Sequence, residues 1–346
     1  MTYDLICVGA GPTGLACAIE AKRAGMNPLV LDKGCLCNSL LHYPVNMVFF
    51  TTAERMEIGD LPMAISGDKP TRTEALKYYR KAAEHYGLEV RQYETVEGLR
   101  RGGGVFRVRT RHSDGAADEH SATRVVIATG YYDLPKRLRV PGEELPHVSH
   151  YYTEPHSYWR RNVAVIGAGN SAAEAALDLF RAGARVTLVH RGAQVSRRIK
   201  YWLLPDIENR IAAGEIQAQF NSMVSRIEPG QLFLRPADGS QVPSPRRRTP
   251  SRRKGAFPPI GADGRPVPAD AVFALTGYQP DFAFLMRLGI HLDPSTQKPA
   301  INPDTLETNV PGLYVAGVIV GGEHTSEIFI ENGRFHGKQI VASFAK

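Results

Sequence analysis

Val8-Gly9-Ala10-Gly11-Pro12-Thr13-Gly14 is written a second time as Ile166-Gly167-Ala168-Gly169-Asn170-Ser171-Ala172, and Arg23-Ala24-Gly25 returns at the same offset as Arg181-Ala182-Gly183. Each copy follows a short apolar run, Leu5 to Val8 or Val163 to Ile166, that reads as a strand, and each opens a helical pattern. In that context the first glycine permits a tight turn and the second lets backbone approach a pyrophosphate. The third, replaced by Ala172 in copy two, allows close helix packing. Unpaired N–H groups and the dipole at the helix N-terminus then favour an anion. A lone glycine motif carries little, whereas two copies in the same strand–turn–helix–strand context carry much more.

The copies differ at the end of the second strand. Leu29-Val30-Leu31 leads into Asp32-Lys33, while Val186-Thr187-Leu188-Val189 leads into His190-Arg191. A carboxylate accepts hydrogen bonds from ribose hydroxyls and repels a 2′-phosphate; a His-Arg pair attracts one. Copy one therefore suits FAD, with Gly9, Gly11, Pro12, Thr13, Gly14, Asp32 and Lys33 as its contacts. Copy two suits NADPH, with Gly167, Gly169, Asn170, Ser171, Ala172, His190 and Arg191. The expected fold class is α/β with two Rossmann-like dinucleotide-binding domains.

A chain of 346 residues is long enough for two domains with cores of their own. Its formal charge of +7 hints at nucleic acid or a membrane surface, but Arg246, Arg247, Arg248, Arg252, Arg253 and Lys254 supply nearly all of it. Those cations fall in a proline-rich stretch, 243–268, which is expected to be an irregular, solvated surface loop. No nucleic-acid face is implied. The apolar N-terminus is immediately the first strand and glycine loop, so neither a signal peptide nor a membrane span is expected and the reading is cytoplasmic.

The 4 cysteines, Cys7, Cys17, Cys35 and Cys37, cluster near the N-terminus and do not form a disulfide framework. Cys7 in a strand and Cys17 on a helix read as small packed hydrophobes. Two sulfurs with His42 are too few for structural zinc, and no metal site is expected. Further along, a helix from Arg72 to His85 is expected behind Thr71, with Glu74 completing a capping box. Val125-Val126-Ile127-Ala128-Thr129-Gly130-Tyr131 reads as a buried strand and turn, echoed by Val272-Phe273-Ala274-Leu275-Thr276-Gly277-Tyr278.

This order of glycine loop, acidic strand end, Ala-Thr-Gly, second glycine loop with His-Arg, and late Tyr314-Val315-Ala316-Gly317 resembles the two-dinucleotide flavin reductases of the thioredoxin-reductase type. The resemblance is closer, over essentially the whole chain, to the bacillithiol-disulfide reductase family. It is carried by Tyr43-Pro44 with Phe49-Phe50, Ala128 to Tyr132, Leu145-Pro146 with His150-Tyr151, and Arg191-Gly192 with Ile199-Lys200. Gly277-Tyr278 with Pro280-Asp281, Ala316-Gly317-Val318, Ile328 to Gly333 and His336-Gly337 complete it. The resemblance implies an NADPH domain inserted in a discontinuous FAD domain, residues 148–279 within 1–147 and 280–346. It also implies Thr129, Gly130, Gly317 and Val318 at the flavin, Lys200 on the 2′-phosphate side, and a homo-oligomer. The expected activity is hydride transfer from NADPH to FAD and on to a disulfide or other small-molecule or small-protein acceptor.

The chain departs from that pattern at the thiols. Family members carry a cysteine inside the first glycine loop, where this chain has Thr13. The stretch from Val148 to Trp159, where thioredoxin reductases bear Cys-x-x-Cys, has no cysteine. Cys37 is therefore the candidate electron relay, because the chain after Asp32 must run from ribose towards the isoalloxazine. Three alternatives stand beside the disulfide reductase: a flavin monooxygenase, which Val148-Ser149-His150-Tyr151-Tyr152 loosely resembles; a ferredoxin- or quinone-type NADPH reductase; and a non-catalytic redox sensor.

Overall fold

The computed structural model describes residues 1–238 and 264–345. Its contacts divide the chain into two compact units, Met1–Leu134 with Tyr278–Lys346, and Pro135–Gly277.

In the first unit a five-stranded parallel sheet runs in the order Leu313–Val315, Val125–Ile127, Leu5–Val8, Pro28–Leu31, Glu89–Arg91. The glycine-loop strand is central and buried at every position, which its unbroken apolar run requires. Alternation sorts the sheet's side chains into two layers. Leu5, Cys7, Val30 and Val126 pack with Cys17, Ala18 and Ala21 of the helix Pro12–Arg23, while Ile6, Leu29, Leu31 and Ile127 meet Phe106 and Val108 on the other face. Those two belong to an antiparallel meander, Glu94–Gly102, Val105–His112 and Ala117–Ala122, with Thr2–Tyr3 pairing in parallel at its edge. Cys7 and Cys17 are the buried hydrophobes that the sequence reading makes of them. The helix Arg72–His85 begins at Thr71 with both halves of the capping box in place.

The second unit repeats this plan. Its parallel sheet runs Val148–Ser149, Ala271–Ala274, Asn162–Ile166, Arg185–Val189, Gln217–Gln219, again with the glycine-loop strand in the middle. The two echoed apolar segments, after Val125 and Val272, thus occupy the same sheet position in their respective units. An antiparallel trio, Ser222–Glu228, Gln231–Pro236 and Arg265–Pro268, takes the place of the meander.

Two expectations need correction. Arg265–Pro268 lies inside the stretch expected to be irregular, yet it is a strand. It is the outer strand of its trio, where a residue without an N–H costs least, so Pro266 and Pro268 are tolerated. The remainder of that stretch, 239–263, lies outside the described residues. The division after Leu134 falls earlier than the expected 147, because Leu138, Val140 and Leu145 pack on Val224 and Ile227, and the Ile227 N–H donates to the Pro141 carbonyl at 2.8 Å. Among the described residues no helix is long and apolar enough to cross a membrane.

Candidate functional site: two glycine loops

In the first unit the chain leaves the central strand at Gly9, whose φ of +114° is open to glycine alone and whose missing Cβ makes room for the Ala128 carbonyl. The helix then starts at Pro12. Its N-cap, Gly11, supplies no side-chain acceptor, and the first turn carries no acid. The N-terminal N–H groups therefore stay available to an anion. A Cβ at Gly11 would meet nothing within 4 Å, so the space over the loop is open to a close-fitting group.

Asp32 closes this loop from the neighbouring strand. Its Oδ2 accepts from the Ala10 N–H at 2.7 Å and its Oδ1 from the Gly34 N–H at 2.8 Å. Burial pushes the Asp32 carboxyl up from its ordinary range, while the two backbone donors pull against that. Asp32, Lys33, Thr129 and Gly130 all line one cavity of about 170 Å³. Glu94, Thr95, Phe284 and Arg287 share its wall and had no signal in the sequence, since they reach it only through the meander and a distant short helix. The Lys33 ammonium is tied to Asp133 at 3.0 Å.

The C-terminal segment covers the other side of the loop. Thr13 lies against Gly317 and Gly333, where an added Cβ would stand 3.2 and 3.1 Å from its Oγ1. The Gly317 N–H donates to His336 Nδ1 at 3.0 Å, and burial lowers the proton affinity of that imidazole. Val318 follows in the short turn Gly317–Gly321, half-buried. Tyr132 stacks near Tyr43 and Tyr278, with ring centroids 4.8 and 4.3 Å away, forming an aromatic array just after Gly130.

Cys37 does not fit the relay role expected of it. Its left-handed backbone (φ of +56°) folds the side chain inward, where it is fully enclosed among Leu40, Phe49 and Tyr79. Burial pushes the thiol well above its ordinary pKa, so neither the access nor the thiolate that exchange needs is present. Cys35 is the one cysteine that is not fully buried, and burial raises it as well.

The second loop repeats the first. Gly167 has a φ of +133° and leaves room for the Leu275 carbonyl, and Gly169 caps the helix Asn170–Arg181 with no side-chain acceptor and open space at its Cβ. Asn170 uses its Oδ1 to accept from the Lys200 N–H at 2.9 Å, while Ser171 is exposed and Ala172 is packed inside. The strand end differs from Asp32 in every respect. His190 is half-buried and its proton affinity is lowered by burial first and by Arg191 second. Arg191 is exposed, with no ion pair among the described residues. Lys200 comes to the loop, but its Nζ stands 3.8 Å from Glu174 on the glycine helix. Both loops thus fit a bound dinucleotide: open glycine, uncapped helix start, and a polar strand end beside it.

A bacilliredoxin reductase of Bacillus subtilis is 38% identical over 342 residues, 99% of this chain and 97% of its own length. The solved bacillithiol disulfide reductase of Bacillus cereus superposes with a TM-score of 0.89 at 39% identity, covering 100% of this chain and 99% of its own. That of Staphylococcus aureus gives 0.86 at 35%, covering 99% and 98%. The family model for pyridine nucleotide-disulphide oxidoreductases matches residues 6–248 and 260–317, both glycine loops included. The repeated sheets, the paired loops and these matches agree: the chain belongs to the pyridine nucleotide-disulphide oxidoreductases, enzymes that join a flavin to a nicotinamide nucleotide.

Proposed function

We propose that the first unit holds FAD, that the second holds NADPH, and that the enzyme reduces a disulfide of a small thiol or of a small carrier protein. When bound, the two groups supply hydride transfer from nicotinamide to flavin and two-electron delivery to the acceptor. The observation that carries the assignment is the contrast at the strand ends. Asp32 offers a half-buried carboxylate beside the first loop, which accepts from ribose hydroxyls and excludes a 2′-phosphate. Arg191 offers, beside the second, an exposed guanidinium that attracts one and has no ion pair among the described residues. In this reading Gly9, Gly11, Pro12, Thr13 and Gly14 seat the FAD pyrophosphate. Thr129, Gly130, Gly317 and Val318 border the flavin, and Lys33 holds Asp133 at the mouth of the cavity. Gly167, Gly169, Asn170, Ser171 and Ala172 seat NADPH, with Lys200 bracing the loop through Asn170.

The acceptor class comes from the relatives, whose names point to bacilliredoxin and to bacillithiol disulfide. With Thr13 in the glycine loop, Cys37 enclosed and the half-buried Cys35 thiol pushed up by burial and by Asp32, electrons pass from the flavin directly to the acceptor in this reading. Four free cysteines and no disulfide suit work in the cytoplasm. The test is oxidation of NADPH and NADH by the purified yellow protein against low-molecular-weight disulfides, bacilliredoxin-type carriers, quinones and ferredoxin. Preference for NADPH with disulfide-dependent turnover supports the reading. A lasting flavin–oxygen absorbance in air with no disulfide turnover replaces it by a monooxygenase.

A further inference from the structure

The meander of the first unit carries a side-chain cluster that shares only Glu94 with the cavity at the first glycine loop. Glu94 is paired with His112 across the ladder, Thr110 with Asp118, and Val108 with His120. Residues two apart on a strand share a face, so Glu94, His112, Asp118 and His120 all project to one side of three adjacent strands.

Three of their donor atoms converge. One each from Glu94, His112 and Asp118 lie within 4.8 Å of one another. His120 Nε2 stands 2.6 Å from Glu94 Oε1 and 3.9 Å from Asp118 Oδ2, and His112 Nε2 stands 3.9 Å from Glu94 Oε1. Ligand atoms around a tetrahedral ion with bonds near 2.0–2.1 Å are roughly 3.4 Å apart, so shifts of about an ångström or less turn this cluster into a coordination shell. A second, independent feature points the same way. The Glu94 side chain is wholly enclosed, yet its Oε2 has no hydrogen-bond partner among the described residues. A buried carboxylate oxygen is costly to leave unmatched, and a cation is what such an oxygen accepts best.

We propose that Glu94, His112 and Asp118, joined by His120 once its hydrogen bond to Glu94 opens, form a binding site for a divalent transition-metal ion of the zinc type. Two imidazoles with two carboxylates suit zinc and its neighbours and disfavour magnesium and calcium, which take oxygen shells. Arg91, whose Nη1 is 3.7 Å from Asp118 Oδ2, is also held by Glu89 at 3.1 Å and can release Asp118 without losing its partner. The ion would clip three strands together. It would do so beside the cavity of the first unit, since the Glu94 N–H donates to the Asp32 carbonyl at 2.8 Å.

The experiment is calorimetric titration of the EDTA-stripped, full-length flavoprotein with Zn²⁺ alone, together with melting curves. One equivalent is expected to bind and to raise the melting temperature. His112→Ala and Asp118→Asn change partly exposed side chains and should weaken binding by about tenfold or more, the loss of a ligand costing at least what loss of a supporting contact does. Flavin content should be unchanged in both. The proposal is overturned if the native protein takes up no zinc, or if both variants bind it as the native protein does, which would assign the ion to thiols or scattered carboxylates. Should His112→Ala fail to fold, Asp118→Asn reads the same quantity.

Discussion

Replacing Arg191 with alanine isolates the feature on which the nucleotide assignment rests. The side chain is exposed and has no ion pair among the described residues, so its removal breaks no ion pair there. A charge-assisted hydrogen bond is worth about 1.5–3 kcal/mol, roughly 10- to 150-fold in affinity, and solvent exposure places this one near the lower figure. Arg191→Ala should therefore raise the NADPH KM about tenfold while leaving the NADH KM nearly unchanged. The neighbouring His190 adds a second readout. Burial, aided by the Arg191 charge, lowers its proton affinity, so the imidazole is neutral in the free enzyme at neutral pH. A bound 2′-phosphate favours imidazolium, hence the complex holds more protons than the free enzyme. NADPH affinity should then rise as pH falls from about 8 to about 6, with NADH affinity flat. Without Arg191 the imidazole charges more readily, and the NADPH profile should move to higher pH. Initial-rate kinetics with both nucleotides across that range supply the measurement. If Arg191→Ala weakens NADPH and NADH equally, the guanidinium does not read the 2′-phosphate and the reasoning fails.

Three further outcomes are expected. Gly9→Ala forces a side chain against the Ala128 carbonyl at a φ of +114° and should yield protein without flavin absorbance. Gly167→Ala, against Leu275, should keep the flavin and lose reduction by NADPH; loss of flavin in both variants would break the assignment of loops to nucleotides. Cys37→Ser should retain disulfide turnover, because an enclosed thiol takes no part in exchange; a variant whose flavin NADPH still bleaches but which no longer reduces disulfides would restore the relay. His336 is bound to the Gly317 N–H and its folded proton affinity is lowered, so the unfolded chain takes up the proton first. Stability should be complete above the ordinary histidine value near about 6.5 and fall as pH drops below it, and His336→Gln should flatten that dependence in urea melts at two pH values.

Much of the frame is legible in the chain because it depends on local rules. The glycine loops, the capped helix behind Thr71 and the central apolar strands each follow from a few adjacent residues. The echo of Val125 to Tyr131 in Val272 to Tyr278 marks equivalent strands of two sheets, and that too is visible without coordinates. What stays hidden depends on contacts between distant residues. The boundary at Leu134 rests on Leu138 and Val140 meeting Ile227. The enclosure of Cys37 rests on one left-handed residue turning it under Tyr79. Pro266 and Pro268 look like breakers until their strand is seen to lie at an edge. The ligands of the proposed metal site are spaced by strand pairing, at Glu94, His112, Asp118 and His120, with none of the short spacings that a zinc motif shows in sequence.

The repetition itself constrains the chemistry. Both units place a glycine-loop strand at the centre of the same strand order, so both present a helix start and a neighbouring strand end in the same relation to a ligand. Backbone geometry at the pyrophosphate is then common to the two sites, and Gly9 and Gly167 serve it alike. Discrimination between nucleotides has to come from side chains that the shared frame leaves variable. Asp32 uses its two oxygens to accept from Ala10 and Gly34, which fixes the carboxylate against its loop and favours its charged form against the opposing effect of burial. Arg191 is exposed, has no ion pair among the described residues and can meet a phosphate. One strand end is thus pre-organised to refuse the charge that the other is left open to receive. For that reason a single substitution at residue 191 tests nucleotide choice without touching the fold that the two units share.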